Sequence, residues 1–243
     1  MKSYYIITGT SRGIGEQIAS DLLNQSDNNY VFGYSRTKSI SHKNYIHQNI
    51  DFSAPENLEK ISLPEIQEAD KIVLINNSGT LSDVNPIGSL NNAEIIKGIN
   101  INLTAPIILT NLFIKKYKAT KSSEKIIFNI SSGAAIYAID GWSVYCATKA
   151  AINMLAEVGA VESKLHGFDF KHYAFAPGKV DTQMQTEIRE LNKSSFSNVE
   201  SFIKEKETGS LNSVEFVSNK VISIINNTQQ YQDKRFWMIP EIN

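Results

Sequence analysis

The sequence predicts a single α/β domain, residues 1–243, in which a doubly wound parallel sheet carries helices on both faces. Short apolar runs alternate with helix-patterned segments along the whole chain. The apolar runs lack the alternation of a strand with one wet face, so the strands are expected to be buried on both faces. A chain of 243 residues that is 42% hydrophobic can bury one large core.

The predicted elements follow one another as strand and helix. The apolar runs are YYIIT (4–8), YVFGYS (30–35), KIVLINN (71–77), KIIFNIS (125–131), FKHYAFA (170–176) and RFWMI (235–239), with a further strand expected just before Asp51. Helices are predicted at 14–24, 55–69, 92–118, 143–165 and 213–226. The polar segment at about 179–211 is predicted to be irregular and is long enough to cover a substrate.

Composition excludes several functions. The formal net charge of -1 gives no field that attracts nucleic acid or an anionic membrane. Cys146, the single cysteine, cannot form an internal disulfide, and the scattered histidines build no metal site, so no metal is predicted. The apolar run at 4–7 is too short for a signal peptide, and no segment approaches the roughly 20 apolar residues of a membrane span. We expect a soluble, cytoplasmic protein.

A glycine-rich turn, TGTSRGIG (8–15), joins the first strand to the first helix. Glycines there allow a tight turn, a close approach of the backbone to a pyrophosphate, and packing of the helix on the sheet. The helix N-terminus then faces the anion. A tight connection alone would also need glycine. The residues predicted to hold a dinucleotide here are Gly9, Ser11, Arg12, Gly13, Ile14 and Gly15.

Arg36 ends the second strand, where the adenosine ribose of a dinucleotide would lie. An acidic residue would bind a free 2′-hydroxyl, whereas arginine matches a 2′-phosphate, so the sequence favours NADP(H). Arg12 could close on the same phosphate, although both arginines could instead be ordinary surface residues. Asp51 could bind the adenine amino group or could cap the helix that starts near Pro55.

Tyr145 and Lys149 are one helical turn apart, so their side chains leave the same face of the helix. Alone, such a pair is equally typical of a solvated helical face. It is accompanied, in order, by NNSG (76–79), INL (101–103), NISSG (129–133), YCATK (145–149) and APGKVDT (176–182). With these motifs and the glycine turn, nearly the whole chain resembles the short-chain dehydrogenases/reductases, which have a Rossmann-like fold. Ser78 departs from the alanine usual in that family.

The resemblance implies a catalytic set. Tyr145 would be the proton donor to the substrate carbonyl, Lys149 the cation beside it, Ser132 the carbonyl anchor and Asn102 the fourth member, whose side chain bends its helix. Ser131 is the rival for the serine role. A free tyrosine with a pKa near 10 is a reluctant acid–base group, and a nearby ammonium favours its phenolate. The remaining residues that the resemblance places at the cofactor are Asn77, Gly79, Tyr145, Lys149, Pro177, Gly178, Val180 and Thr182.

Three short stretches of the sequence narrow the range of expected substrates. GWSVYCATKAAINML (141–155), APGKVDTQMQ (176–185) and ETGSL (207–211) are similar to sepiapterin reductases and bacterial benzil reductases. Sepiapterin reductases grip the pterin with an aspartate near the C-terminus, where this chain offers Trp237 and Met238. With Trp142 as a further pocket wall, alongside Ser132 and Tyr145, this favours an apolar α-dicarbonyl. Trp142 could equally be buried at a turn.

Three other functions stay open. A sepiapterin reductase or a 3-oxoacyl-carrier-protein reductase would share the catalytic set, and an NADP-binding regulatory protein would not be an enzyme. Cys146 is expected to be a small packing residue on the buried side of its helix. Apolar residues on several helix faces predict a homodimer. They are Ile107, Ile108, Leu112, Ile152, Leu155 and Val158.

Overall fold

One parallel sheet forms the centre of the molecule. The structure, a computed structural model, describes residues 2–231 and 235–239. Within them lie seven parallel strands in the order β3-β2-β1-β4-β5-β6-β7. The strands are β1 Ser3–Thr8, β2 Asn29–Ser35, β3 Tyr45–Asn49, β4 Glu68–Asn76, β5 Lys121–Ile130, β6 Lys171–Ala176 and β7 Phe236–Met238. The predicted α/β fold class is confirmed.

Helices cover both faces of this sheet. They are α1 Gly13–Gln25, α2 Pro55–Leu58, α3 Asn92–Ile99, α4 Ala105–Tyr117, α5 Ser143–His166, α6 Gln183–Arg189, α7 Val199–Glu207 and α8 Val214–Asn226. On one face, Leu22 of α1 and Val221 of α8 are fully buried in the same cluster. On the other, Leu109 and Phe113 of α4 are fully buried in a second cluster. Burial of both faces explains why the strand sequences do not alternate.

The sheet reverses its direction of growth between β1 and β4. The chain first winds outward from β1 through β2 to β3, and then returns to build β4 to β7 on the other side. At such a switch point the connections after the two central strands diverge, which opens a crevice at their carboxyl ends. The glycine turn after β1 and the NNSG motif after β4 therefore meet at this crevice.

The helix predicted at 55–69 is wrong: α2 spans only Pro55–Leu58. Pro64 prevents a helix across the second half of the predicted range, because proline lacks the amide hydrogen that a helix interior needs and disfavours the helical conformation of the residue before it. The chain then enters β4 at Glu68, so part of the predicted helix is strand.

The segment 179–211, predicted to be irregular, contains α6 and α7. Its two ends lie side by side through a parallel bridge between Val180 and Asn212. Asp181 N donates to Asn212 O over 2.9 Å, and Asn212 N donates to Lys179 O over 2.9 Å. The segment is thus a helical excursion that leaves the body after β6 and returns to the same place.

The long helix predicted at 92–118 is interrupted. A π-helical turn, Asn100–Thr104, separates α3 from α4. By length and composition alone the whole run, Asn92–Tyr117, could cross a membrane, contrary to the expectation from the sequence. However, Phe113 and Tyr117 are fully buried against the sheet, so the run packs as a core helix of a globular protein does.

Candidate active site

The glycine turn after β1 forms a cradle with no room for side chains. A Cβ on Gly9 would lie 2.8 Å from Asn77 Nδ2, and one on Gly15 would lie 2.3 Å from the same atom. Gly9 and Gly13 also have φ angles of +74° and +63°, which side-chain-bearing residues rarely adopt. Asn77 Nδ2 donates to Thr8 O over 2.9 Å, which ties the loop after β4 to the turn.

This cradle fits the pyrophosphate of a dinucleotide. The turn leads directly into α1, whose first turn provides free backbone N–H groups and the positive end of a helix dipole. The facing wall comes from the loop after β6, where a Cβ on Gly13 would lie 3.6 Å from the Thr182 methyl group. Of the residues predicted at the cofactor, those that line one common cavity are Arg12, Gly13, Ile14, Asn77, Gly79, Tyr145, Lys149, Pro177, Gly178, Val180 and Thr182.

Tyr145 and Lys149 lie together at the inner end of the cavity. Both are buried, and Lys149 Nζ lies 5.6 Å from the centre of the Tyr145 ring. Lys149 Nζ donates to Ile130 O over 2.8 Å. Burial lowers the pKa of Lys149 to about 8. Burial also raises the pKa of Tyr145 to about 12, with hydrogen bonding to Ser132 acting in the opposite direction.

This differs from the expectation that the ammonium lowers the tyrosine pKa. Desolvation disfavours the phenolate, and it outweighs the opposing effect of Ser132. The ammonium group of Lys149 instead donates a hydrogen bond to the Ile130 carbonyl at the end of β5. In this state Tyr145 carries its proton at neutral pH.

The two serines after β5 have different surroundings. Ser131 Oγ donates to Asn153 Oδ1 over 2.6 Å, so its hydroxyl hydrogen is engaged within the protein. Ser132 Oγ accepts from Ala134 N over 3.1 Å, and its hydroxyl is near enough to Tyr145 to act on the pKa of that phenol in the lowering direction. Its position beside Tyr145 agrees with the serine role expected for Ser132 rather than for Ser131.

Asn102 lies in the π-helical turn and is 1% exposed. Its side chain reaches the loop after β4: Nδ2 donates to Thr80 O over 2.8 Å, and Thr80 N donates to Oδ1 over 2.9 Å. A Cβ on Gly79 would lie 3.7 Å from Asn102 Oδ1 and 3.6 Å from Lys149 Nζ. The bend in the helix thus brings an amide to the same end of the cavity as the lysine.

The residues predicted around the adenosine are more dispersed. Arg36 is exposed after β2. Arg12 points away from it, with a guanidinium nitrogen 3.7 Å from Glu187 of α6. Asp51 accepts from Ser53 N over 2.9 Å, and this hydrogen bond lowers its pKa. The first residue before α2 is Ala54, so Asp51 closes the preceding turn and does not cap the helix as one alternative expected. Ser11 lies in the turn, partly buried.

The cavity, of about 360 Å³, continues past Tyr145 to a mostly apolar end. Trp142 lines it and packs against the Tyr145 ring at 5.6 Å. Trp237, expected as a second aromatic wall, is instead buried in the core against Tyr173 and Tyr231. Cys146 is only half-buried, with its Sγ 3.9 Å from Tyr137 O.

Several lining residues were missed because they lie in the segment taken as irregular. The missed residues of this segment are Met184, Gln185, Ile188 and Phe202. A signal was present: Met184 and Ile188 are four residues apart, and Val199 and Phe202 are three apart, which are helical spacings of apolar residues. This segment supplies one wall of the cavity.

A family model described as short chain dehydrogenase matches residues 3–193. The chain is a short-chain dehydrogenase. Such enzymes bind a nicotinamide cofactor, and this one is an oxidoreductase that acts on carbonyl or hydroxyl groups of small molecules.

This short-chain dehydrogenase has relatives of known activity. It is 39% identical over 233 residues to benzil reductase ((S)-benzoin forming) of Bacillus cereus, which covers 91% of this chain and 93% of that protein. Over 133 residues it is 37% identical to sepiapterin reductase of Rattus norvegicus, covering 54% of this chain and 49% of the relative. The crystal structure of the KRED1-Pglu enzyme has a TM-score of 0.83 at 23% identity, covering 97% of this chain and 100% of that one.

Proposed function

We propose that this protein is an NADPH-dependent reductase that converts one carbonyl of an α-dicarbonyl compound to an alcohol, with Tyr145 as proton donor. The observation that carries this proposal is the pair of buried residues Tyr145 and Lys149, with the partly buried Ser132 beside them, between the glycine cradle and the apolar part of the cavity. A ketone there would lie against a protonated phenol. The similarity to benzil reductases over most of both chains supports the substrate class.

The roles of the side chains follow from their positions. When bound, the reduced dinucleotide supplies a hydride to the carbonyl carbon. Ser132 Oγ–H donates a hydrogen bond to the carbonyl oxygen and holds it beside Tyr145. As negative charge develops on the carbonyl oxygen, this oxygen accepts the proton of the Tyr145 hydroxyl. Lys149 stabilises the phenolate that remains. Asn102 fixes the bend that keeps the loop after β4 against this group.

Arg36 supports the choice of NADPH. It is an exposed cation at the end of β2, the place at which this fold receives the adenosine ribose. Its fork of N–H donors matches a phosphate better than a hydroxyl. Arg12 adds positive charge to the cradle, although its side chain pairs with Glu187.

The experiment is a substrate panel with the purified protein. NADPH oxidation would be followed with benzil, small aliphatic diketones, sepiapterin and acetoacetyl thioesters, and each active substrate repeated with NADH. We expect the highest kcat/KM with an aryl α-dicarbonyl and NADPH, because a mostly apolar wall desolvates aryl rings at no loss and leaves most of the polar atoms of a pterin unpaired. Faster turnover of sepiapterin than of benzil would assign the protein to the pterin reductases instead.

We also propose that the protein is a homodimer that pairs through α5. Met154, Val158, Val161 and Leu165 are spaced by four, three and four residues, and each is between 44% and 75% exposed. Of the residues first expected at this interface, Ile107 and Val158 are exposed, but Ile152 is buried in the protomer. A stripe of this kind normally packs against another helix. Sedimentation of a concentration-independent monomer would exclude the dimer.

A further inference from the structure

Two residues that line the apolar end of the cavity each carry a buried polar atom that lacks a partner. Trp142 Nε1, a donor, and Gln185 Oε1, an acceptor, have no hydrogen-bond partner among the described residues. Trp142 is 5% exposed and Gln185 is 3% exposed. Of the buried unpaired side-chain atoms in the described ranges, these two belong to residues that line the cavity. Such atoms destabilise a protein, so their retention calls for an explanation.

The orientation of the Gln185 amide is fixed by its neighbour. Its Nε2 donates to Phe202 O over 3.2 Å. Exchanging the nitrogen and oxygen would set two acceptors against each other, so Oε1 is the atom that faces away from Phe202. The free group of Gln185 is therefore an acceptor, and it needs an O–H or N–H donor.

Trp142 is equally constrained. Its ring packs against Phe196 at 5.2 Å and Phe202 at 5.9 Å, besides Tyr145. The preceding residue, Gly141, approaches Ser195 so closely that a Cβ there would lie 2.2 Å from the Ser195 carbonyl oxygen. The indole is thus held by α5 on one side and by the 179–211 segment on the other. It has little freedom to turn its N–H towards another protein acceptor.

We infer that Trp142 Nε1–H and Gln185 Oε1 bind the oxygen substituent on the carbon next to the reactive carbonyl, so that the substrates are ketones oxygenated at the adjacent carbon. This rests on the proposed function, in which Tyr145 and Ser132 bind the reactive carbonyl. A second carbonyl oxygen accepts from Trp142. A hydroxyl in its place accepts from Trp142 and also donates to Gln185, so α-hydroxyketones use both groups and α-diketones use one.

A competing explanation is that the two atoms pair with each other when the cavity closes around a ligand. In that case they would only stabilise the wall, and their removal would weaken every ketone alike. If the two atoms bind the substrate, the loss of activity caused by each substitution depends on whether the ketone carries an oxygen beside its reactive carbonyl. This dependence distinguishes substrate binding from pairing of the two side chains with each other.

The test compares three ketones of one carbon skeleton: phenylpropanedione, the hydroxyketone derived from it by reduction, and propiophenone. The variants are Trp142→Phe, which keeps an aromatic wall without the N–H, and Gln185→Met, which is of similar length without the acceptor. Met184→Leu, in the same wall, is the control for a change of shape. For each protein we would measure kcat/KM with NADPH, and the Kd of each ketone for the NADP⁺-loaded protein by calorimetry.

Trp142→Phe should lower kcat/KM and weaken binding for the dione and the hydroxyketone by about tenfold more than for propiophenone, whose loss reports the change of shape beside Tyr145 alone. Gln185→Met should do so for the hydroxyketone alone. Losses that are equal for all three ketones, or no losses, would overturn the inference. Failure of the proposed function looks different: the unsubstituted protein would then reduce no diketone, whereas the Kd values would still report on the two side chains.

Discussion

Asn102 and Thr80 exchange two hydrogen bonds, of 2.8 Å and 2.9 Å, that clamp the π-helical turn onto the loop after β4. The side-chain amide of Asn102 pairs with Thr80 as a neighbouring backbone segment would. It offers one donor to the Thr80 carbonyl and one acceptor to the Thr80 N–H. The clamp links a break in a helix on one side of the cavity to the loop that follows a central strand. π-Helical turns are frequent at functional sites, and here the turn places a side-chain amide beside the cavity.

Asn102→Ala should therefore lower both stability and turnover. It leaves the Thr80 N–H and C=O without the partners they have now, at a loss of about 1–3 kcal/mol for each group that stays buried. Asn100→Ala is the matched control, because Asn100 lies in the same turn but donates to Ser53 O, away from the cavity. Unfolding and kcat would be measured for both variants. A kcat loss equal to that of Asn100→Ala would reduce Asn102 to a structural role.

Tyr145→Phe should keep the cofactor affinity and lose most of the turnover. The phenyl ring fills the same space against Trp142, but it has no proton to give. Positioned acid catalysis contributes on the order of a hundredfold to ten-thousandfold in rate. Cofactor titration and steady-state kinetics would check the two halves of this prediction, and near-normal kcat would remove Tyr145 from the mechanism.

Lys149→Met should abolish turnover without lowering the melting temperature near pH 7. Burial lowers the Lys149 pKa from 10.5 to about 8, so the charged lysine opposes folding at neutral pH. Between about pH 8 and 10.5 the unfolded state binds more protons than the folded state, and this group makes the wild type more stable as pH rises. The variant should lack that rise in chemical unfolding experiments. A marked destabilisation at pH 7 would show that the hydrogen bond to Ile130 outweighs desolvation.

His172 should make the protein sensitive to mild acid. It is buried beside Gly159, hydrogen-bonds Ser163 Oγ through Nε2 at 3.1 Å, and burial lowers its pKa from 6.5 to about 4. Its contribution is complete above about pH 6.5 and is lost as pH falls towards 4, because the unfolded state takes up the proton first. The loss is on the order of 3 kcal/mol. His172→Gln keeps a polar partner for Ser163 without this titration, so the two unfolding profiles should converge near pH 4. Parallel profiles would refute the assignment.

Arg36→Asp should weaken NADPH much more than NADH. The change removes a donor fork and sets a carboxylate where the 2′-phosphate is proposed to bind. Arg12→Ala should act in the same direction but more weakly, because that guanidinium already has Glu187 as a partner. Fluorescence titrations with both cofactors would give the ratio of affinities. Equal losses for the two cofactors would show that Arg36 does not discriminate between them.

Local patterns predicted most of the fold. The strands were readable because each is a short apolar run ended by a turn, and the glycine turn, the one-turn spacing of Tyr145 and Lys149, and the order of the motifs all lie within short stretches of chain. Their meeting at one crevice follows from the parallel topology, since the carboxyl ends of parallel strands share one edge.

Features that depend on tertiary contacts were not readable. The second half of the helix predicted at 55–69 was wrong because Pro64 prevents a helix from continuing through that position. Trp237 looked like a pocket residue by its position in the sequence, but it packs beneath the sheet because β7 pairs beside β6. The hydrogen bond from Gln185 to Phe202 joins α6 to α7, and the sequence of either short helix alone does not predict it.

The bridge between Val180 and Asn212 has a consequence for how such enzymes diversify. Because the two ends of the 179–211 segment are already adjacent, the excursion between them can be lengthened, shortened or replaced with only a small change in chain-closure entropy. The sheet and the glycine turn lie outside the segment, so a replacement would need to be matched only where the segment packs on Trp142 and where Thr182 faces the cradle. The segment is thus an exchangeable cassette, and a chimera carrying the corresponding stretch of another short-chain dehydrogenase is a direct route to transplanting substrate preference onto this chain.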